Sequence, residues 1–285
     1  EALRLQGFQV ELPEDIGRKN GYLAGTDEQR ADEMNRMIRD ARIQAIFPAR
    51  GGYGLTRILD RIDYAFLATH PKVIIGYSDI TALHLAVAKK CRLVTFHSPV
   101  PLSNLYREQE KDYQFAAQSF RRAVLSQSYF EKHNGYVIET PPSMTPKTLV
   151  GGKARGRLLG GNLTLVSSTM GTPYEIETDQ AILFFEDVNE APYRIDRMLS
   201  QLRLAGKLER AAGIVVGDLQ VKTDEERAEI RKILVEYLAH LRKPVITDYP
   251  CGHIALNATF PHGALVELNA DLGTLRLLEN PVRVP

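Results

Sequence analysis

The stretch Lys72-Val-Ile-Ile-Gly-Tyr-Ser-Asp-Ile-Thr-Ala-Leu-His-Leu-Ala-Val-Ala-Lys89 joins two different hydrophobic patterns through a short turn. Residues 73–75 form an uninterrupted β-branched run, which is typical of a buried strand in a parallel sheet. From residue 80 onward, apolar residues recur at helical spacing. The stretch therefore predicts a strand, a tight turn and a helix, which is the building unit of an α/β fold.

Ser78 lies in the turn of this unit, and two interpretations of it are open. A serine on a sharp strand-to-helix turn can expose its hydroxyl as a nucleophile and leave the next backbone N–H free to bind an oxyanion. Ser and Asp are also common helix N-caps, so Ser78 or Asp79 could simply bind N–H groups of the first helical turn. The match to the Gly-x-Ser-x-Gly motif is incomplete, because Ile80 stands at the second glycine position.

The composition excludes several classes of protein. The chain has 285 residues, 44% hydrophobic and 25% charged, enough for one large domain or two ordinary ones. A formal net charge of +1 gives no reason to expect nucleic acid or an anionic membrane as a partner. We see no apolar run of transmembrane length and no signal peptide. Cys91 and Cys251 form no zinc motif and no disulfide framework, so we expect no metal and a reducing, cytoplasmic location.

The first half of the chain alternates strand and helix patterns. Strands are predicted at residues 45–48, 73–75 and 93–96, and this alternation predicts a parallel sheet. Helices are predicted behind a capping box at Thr26, over residues 55–62 and after Ser78. Residues 1–7 resemble the end of a helix and are followed by a predicted strand at 8–12, so we expect the amino terminus to be incomplete.

A second domain is predicted after a crossing segment. We expect an α/β domain over residues 1–125, a linker over 126–150, rich in proline, and a second domain over 151–285. The second domain has predicted strands at 181–185, 212–217 and 244–247, and a terminal hairpin of residues 264–268 and 274–278.

Two glycine-rich loops resemble phosphate-binding motifs only in part. Residues 51–54, Gly-Gly-Tyr-Gly, lack the third glycine of a dinucleotide fingerprint, because Arg57 stands there. Gly151-Gly-Lys153 lacks the upstream glycine and the Ser or Thr of a Walker loop. The loop at 51–54 could equally be an ordinary turn that needs positive φ. Nucleotide binding is not favoured.

A nucleophilic serine needs a base and an orienting acid, and the residues leave several candidates for each. An apolar strand ends in Glu186 and Asp187, whose side chains must point to opposite faces. Three histidines lie in loops or at strand ends where they could reach Ser78: His97, His253 and His262. The other four lie in polar contexts or on the helix after Ser78: His70, His84, His133 and His240.

Five motifs follow one another along the chain, and two short ones come late: Arg50-Gly-Gly-Tyr-Gly54, Ile75-Gly-Tyr-Ser-Asp-Ile-Thr81, Thr95-Phe-His-Ser-Pro99, Leu159-Gly-Gly-Asn-Leu163, Phe185-Glu-Asp-Val-Asn-Glu-Ala-Pro-Tyr-Arg-Ile-Asp-Arg197, Gly252-His253 and Pro261-His-Gly263. They cover nearly the whole chain, and together they resemble the LD-carboxypeptidases, which trim murein peptides in bacteria. The microcin C self-immunity peptidases share this fold and triad. The family normally begins with a strand and a small-residue loop that this chain lacks.

The resemblance implies a Ser-His-Glu hydrolase that needs no cofactor. It assigns Ser78 as the nucleophile, His253 as the base and Glu186, rather than Asp187, as the acid. The N–H of Asp79 and an N–H of Gly51 or Gly52 are expected to bind the oxyanion. A parallel-sheet domain carrying Ser78, followed by a β-rich α/β carboxyl-terminal domain, should form the site in the cleft between them.

The expected reaction is hydrolysis of an L,D peptide bond that releases terminal D-alanine from a murein tetrapeptide during cell-wall recycling. The expected partner is thus a small peptide, and family analogy adds a homodimer. One alternative is a microcin-type peptidase that cleaves an aminoacyl-adenylate analogue. Another is a non-catalytic module that binds small anions at the glycine loop and the helix after Ser78.

Overall fold

The computed structural model describes residues 2–5, 7–101, 107, 110–125, 130 and 135–282, so His133 lies outside the described residues. The α-helices are α1 (Ala2–Leu5), α2 (Asp27–Arg39), α3 (Tyr64–Thr69), α4 (Thr81–Cys91), α5 (Lys111–Leu125), α6 (Leu163–Ser168), α7 (Pro192–Leu204), α8 (Lys207–Arg210) and α9 (Asp224–Leu238). The strands are β1 (Ala45–Ile46), β2 (Val73–Gly76), β3 (Thr95–His97), β4 (Tyr136–Val137), β5 (Lys147–Val150), β6 (Lys153–Asn162), β7 (Ile182–Val188), β8 (Gly213–Gln220), β9 (Val245–Thr247), β10 (Phe260–His262), β11 (Leu265–Asn269) and β12 (Thr274–Leu277).

A four-stranded sheet carries the unit around Ser78. Its order is β1-β2-β3-β10, and β1, β2 and β3 run parallel, as the sequence predicts. Strand β10 runs antiparallel to β3, with Phe260 opposite His97. A strand from late in the chain therefore completes the amino-terminal sheet, which ties the two halves of the chain together.

An eight-stranded mixed sheet forms the second layer, in the order β4-β12-β11-β6-β7-β8-β9-β5. Its centre, β6 to β9, is parallel, and the predicted terminal hairpin β11–β12 pairs antiparallel on one side. The α/β class, with parallel strands that carry Ser78 and a β-rich second sheet, is confirmed. The boundaries 1–125, 126–150 and 151–285 stay a prediction.

The segment predicted as a linker, residues 126–150, contributes both edge strands of the large sheet. Strand β4 pairs with β12, and β5 pairs with β9 at the opposite edge. The sequence predicts a strand at residues 136–139, where β4 lies, but not β5. Both strands are short, with two and four residues, so the period-2 signal in the sequence is weak. Edge strands of this kind depend on a neighbour that is distant in the chain.

Helix α4, which follows Ser78, lies between the two sheets. Every residue from Thr81 to Val87 is buried, although a helix on the protein surface would expose one face. Leu83 packs into the core of the amino-terminal half, whereas Leu85 packs into the core under the large sheet. The Thr81 hydroxyl also accepts a hydrogen bond of 2.9 Å from the backbone N–H of Asn162, at the end of β6. This helix therefore fixes Ser78 relative to the large sheet.

Two predicted elements differ in the structure. Residues 55–62 form two short 3-10 turns, Leu55–Arg57 and Leu59–Arg61, because the chain is bent at Gly54 (φ +123°) and again at Ile58. Residues 8–12 form no strand, and the Phe8 ring instead packs against Phe120 with centroids 6.2 Å apart. Among the described residues, no helix combines the length and apolarity needed to span a membrane.

Candidate active site

Ser78 occupies a strained position at the end of β2. Its φ of +66° is in the left-handed region, which costs a non-glycine residue about 1–3 kcal/mol. The preceding Gly76 has φ +150°, and a Cβ there would lie 2.8 Å from Cγ1 of Ile80. No side chain caps the turn Ser78–Ile80, so the capping interpretation is not realised. In this conformation the Ser78 hydroxyl points towards His253.

His253 and Glu186 line up with this hydroxyl. The Nε2 atom of His253 lies 3.0 Å from the Ser78 Oγ, and its Nδ1 lies 2.7 Å from Oε2 of Glu186. The tautomer that donates from Nδ1 to the carboxylate leaves Nε2 to accept the hydroxyl proton. The side chain of His253 is 17% exposed and Glu186 is fully buried. The structure thus brings together the three side chains that the family resemblance singled out.

Two glycines make room for Glu186. A Cβ on Gly217 would lie 3.0 Å from the Cβ of Glu186, and one on Gly252 would lie 2.9 Å from its Oε2. Gly252 also has φ +133°, a conformation that other residues rarely adopt. The backbone of β8 and of the loop before His253 can therefore approach the acid closely enough to align it with the imidazole.

The glycine loop at 51–54 lies against Ser78. A Cβ on Gly51 would lie 3.1 Å from the Ser78 Oγ, and Gly52 has φ +146°. One carboxylate oxygen of Asp79 accepts the backbone N–H of Leu55 at 3.0 Å, directly after the loop. The residue after the serine thus braces the loop that faces the serine.

Arg30 holds the other side of the glycine loop. Its Nη1 donates to the Gly54 carbonyl at 3.0 Å, and its Nη2 donates to Asp27 at 2.6 Å. The loop is therefore fixed from α2 as well as from the turn at Ser78, so it can present backbone N–H groups without rearranging.

Comparison with known proteins places the chain in a family. A family model described as the LD-carboxypeptidase N-terminal domain matches residues 1–98, and one described as the LD-carboxypeptidase C-terminal domain matches residues 155–268. A probable murein peptide carboxypeptidase of Bacillus subtilis is 38% identical over 266 residues, which is 92% of this chain and 80% of that protein. The chain belongs to the LD-carboxypeptidase family.

Two further relatives define the range of the family. The crystal structure of a muramoyltetrapeptide carboxypeptidase from Oxalobacter formigenes has a TM-score of 0.83 and 28% identity, and covers 96% of this chain and 90% of that one. The microcin C7 self-immunity protein MccF of Escherichia coli is 26% identical over 98% of this chain and 86% of its own. The proteins to which this chain is similar thus include both a murein peptidase and a self-immunity protein.

In this LD-carboxypeptidase, burial and the neighbouring charges shift the pKa values of His253 and Glu186 in opposite directions. Burial alone would lower the pKa of His253, but its hydrogen bond to Glu186 and the negative charge of that residue raise the pKa above its ordinary value. Burial would likewise raise the pKa of Glu186, yet the hydrogen bond from His253 and the nearby imidazoles of His253 and His97 lower it to about 2. Glu186 is therefore an anion at neutral pH and increases the basicity of the imidazole.

The raised pKa of His253 predicts the pH dependence of the rate. Protonated His253 cannot accept a proton, so kcat/KM should fall as the pH drops through a value above the ordinary histidine pKa of about 6.5. Glu186→Gln removes the charge that raises this pKa, so it should move the acid limb of the pH–rate profile to lower pH and lower the maximum rate. Glu236→Gln, on the exposed face of α9, is the control and should leave the acid limb in place. An acid limb that also stays in place in Glu186→Gln would contradict the assignment of Glu186 as the acid.

Asp187, next to Glu186 on β7, faces the other side of the strand. Its carboxylate accepts hydrogen bonds from Asn162 Nδ2 at 3.0 Å and from the N–H and hydroxyl of Thr164, both at 2.9 Å. It also accepts the N–H of Val188 at 2.8 Å. These contacts hold the start of α6. Because side chains alternate along β7, Glu186 faces His253 while Asp187 faces the helix.

Asp187→Asn should affect stability more than activity. An amide has a single acceptor oxygen, so part of the four donors around residue 187 would lose their partner, at about 1–3 kcal/mol per unsatisfied group. Melting curves should show a lower Tm, while the rate stays within about tenfold, or 1.4 kcal/mol of barrier. The matched change one residue away, Glu186→Gln, should show the reverse. An inactive but stable Asp187→Asn beside an active Glu186→Gln would assign the acid to Asp187.

The remaining histidines divide into buried and exposed groups. His84 donates from Nε2 to the Gly76 carbonyl at 2.8 Å, and the His262 ring stacks on it with centroids 5.6 Å apart. Both are fully buried, and burial lowers the pKa of His84 to about 3. His70 and His240 are exposed, as the sequence predicts. His97 lies beside Glu186 rather than at the serine.

Sequence reasoning missed the residues that position the site. Gly217 lies in no recognised motif, and Arg30 follows a capping box that only indicates the start of a helix. Their roles depend on contacts with Glu186 and Gly54. Gly252 carried a signal, because it directly precedes a candidate histidine in a loop. A glycine at such a place can indicate that another side chain must pass close to the backbone.

Proposed function

We propose that this family member is a serine LD-carboxypeptidase that releases terminal D-alanine from murein tetrapeptides. The observation that carries the proposal is the continuous contact from Glu186 through His253 to Ser78, with distances of 2.7 and 3.0 Å. Such an arrangement activates a serine for acyl transfer on many unrelated folds. The substrate class is supported by the names of the relatives from Bacillus subtilis and Oxalobacter formigenes.

In the first half-reaction, Ser78 attacks the carbonyl carbon of the scissile L,D bond. His253 Nε2 takes the hydroxyl proton as the Oγ–C bond forms, and Glu186 stabilises the resulting imidazolium. Collapse of the tetrahedral intermediate breaks the C–N bond. The imidazolium returns the proton to the leaving amino group, so that D-alanine departs as the amine and an ester of Ser78 remains.

Backbone N–H groups stabilise the oxyanion in this scheme. The Asp79 N–H and an N–H of Gly51 or Gly52 are the proposed donors, since Gly51 lies against the Ser78 hydroxyl. In other hydrolases one such donor is worth roughly 3 kcal/mol of barrier. The braces from Asp79 and Arg30 support this role because a preorganised donor needs no rearrangement during the reaction.

The second half-reaction hydrolyses the ester. Water loses a proton to His253 as its oxygen attacks the acyl carbon, and the same proton then restores the Ser78 hydroxyl. The shortened peptide leaves with a free carboxylate. The half-buried position of His253, between solvent and the buried Glu186, allows the same imidazole to serve both half-reactions.

Ser78→Ala should abolish hydrolysis and leave the fold intact. The substitution removes the oxygen that attacks, whereas its structural loss is one part-buried hydrogen bond with His253, about 1 kcal/mol. Mass spectrometry of a murein tetrapeptide incubated with the protein would detect the released D-alanine, and melting curves would check the fold. Ser168→Ala, which removes a hydroxyl from the exposed end of α6, is the matched control. Release of D-alanine by Ser78→Ala at the wild-type rate would exclude Ser78 as nucleophile.

The alternative substrate is an aminoacyl-adenylate analogue of the microcin type, which the similarity to MccF brings into consideration. The chain contains no tryptophan that could stack on adenine, and this favours the murein peptide. Offering both compounds to the same preparation separates the two. A fluorophosphonate probe tests the non-catalytic module, because only an activated serine reacts with it.

We also propose a cytoplasmic location and a homodimer, following the resemblance to the family. The location is supported by two unpaired cysteines, Cys91 half-buried and Cys251 buried. Light scattering on the purified protein would measure the oligomeric state.

A further inference from the structure

His253 binds only one of the two carboxylate oxygens of Glu186. Its Oε2 binds the imidazole, but its Oε1 is fully buried and has no hydrogen bond with any described residue. A buried anionic oxygen without a donor is strongly disfavoured, because it has lost water and gained nothing in return. Something in the site should therefore face Oε1.

The atom that faces Oε1 is Nε2 of His97, at 3.5 Å. This nitrogen is also fully buried and also lacks a hydrogen bond with the described part of the chain. Two complementary polar atoms, each without another partner, thus lie within one small shift of a normal N–H···O distance. Hydrogen bonds of catalytic groups are commonly long in the free enzyme and shorten when substrate binds.

The other face of the His97 imidazole has its own partner. The Sγ atom of Cys251 lies 3.6 Å from Nδ1 of His97. Burial and the nearby charge of Glu186 raise the pKa of Cys251, so the sulfur carries its proton and can donate to Nδ1. Nδ1 then accepts, and the single ring proton is left on Nε2, where it points at Glu186.

The His97 ring is held in place by strand pairing and aromatic packing. Its backbone lies on β3 between Gly76 of β2 and Phe260 of β10. The Phe184 ring packs edge-on at 5.3 Å between centroids, and the Tyr77 ring at 6.0 Å. The ring therefore has little freedom to turn away from the carboxylate.

We propose that His97 is a positioning residue that donates from Nε2 to the second carboxylate oxygen of Glu186. This inference rests on the proposed serine mechanism. The donors then form one chain: the thiol of Cys251 to His97, His97 to Glu186, the His253 N–H to Glu186, and the Ser78 hydroxyl to His253. His97 fixes the rotation of the carboxylate, and with it the orientation of the His253 ring towards Ser78.

The test compares three substitutions by the rate at which a fluorophosphonate labels Ser78. His97→Phe keeps a ring of similar shape without a donor. His97→Gln places an amide N–H near the position of Nε2. His262→Phe makes the same chemical change in another fully buried histidine whose ring nitrogens have no hydrogen bond within the described residues, and so controls for disturbance of the core.

We expect His97→Phe to slow labelling by about tenfold to a hundredfold, the range lost when residues that orient metal-binding histidines are removed. His97→Gln should restore most of the rate, and His262→Phe should stay close to wild type. The acid limb of the labelling rate should also move to higher pH in His97→Phe alone, since the charge of Glu186, without its second donor, acts more strongly on the His253 imidazolium and raises the pKa of His253 further. The titratable groups whose charge acts on Glu186 or His97 are His84, Asp187, Asp218, Cys251, His253 and His262.

Labelling needs no murein peptide, so the outcomes separate the two proposals. Wild-type labelling together with an unchanged rate and pH profile in His97→Phe overturns the role of His97 and leaves the serine mechanism standing. His97→Gln as slow as His97→Phe overturns the hydrogen bond and assigns the effect to packing. Absence of labelling in the wild type overturns the serine mechanism, and the role of His97 with it.

Discussion

The hydrogen bond between Ser78 and His253 joins residues that are 175 positions apart, and the rest of the architecture serves that one distance. Ser78 lies at the end of β2 in the small sheet, while His253 follows β9 of the large sheet. A displacement of one sheet by an ångström would break the contact. Helix α4 is buried between the sheets, and β10 crosses into the small sheet. Both elements therefore help to fix the position of Ser78 relative to His253.

Strand β7 performs two tasks with neighbouring acids. Successive side chains of a strand face opposite sides, so Glu186 reaches His253 while Asp187 reaches Asn162 and Thr164. The two acids also differ electrostatically. Burial, with Glu186 nearby, raises the pKa of Asp187, whereas the histidines around Glu186 lower its pKa. One strand thus places a buried anion beside His253 and braces the helix on its other side.

The site also requires the backbone to pass close to the side chains of Glu186 and Ser78. Glu186 fits between Gly217 and Gly252, and Ser78 lies against Gly51. At each place a Cβ would come within 3.1 Å of the side chain it faces. The absence of side chains at these positions lets three separate loops and strands converge on a volume that holds only a few atoms.

The sequence by itself determined the local units of this protein. The β-branched run and helical spacing around Ser78 predicted the strand, turn and helix, and the capping box at Thr26 is formed as expected. Motif order alone pointed to the family and to Ser78, Glu186 and His253. These features are readable because backbone periodicity and turn chemistry depend on residues that are close in the chain.

Only the tertiary structure decided how those units meet. The residues left three candidate histidines and two acids open, and their distances depend on a strand order that no local pattern encodes. The short strands β4 and β5 form only because β12 and β9 lie beside them. The surroundings of Glu186 likewise come from packing between segments that are distant in the chain. They include His97, Gly217 and Gly252. Burial and charge act through space, so the roles of these residues emerge only when the two sheets are brought together.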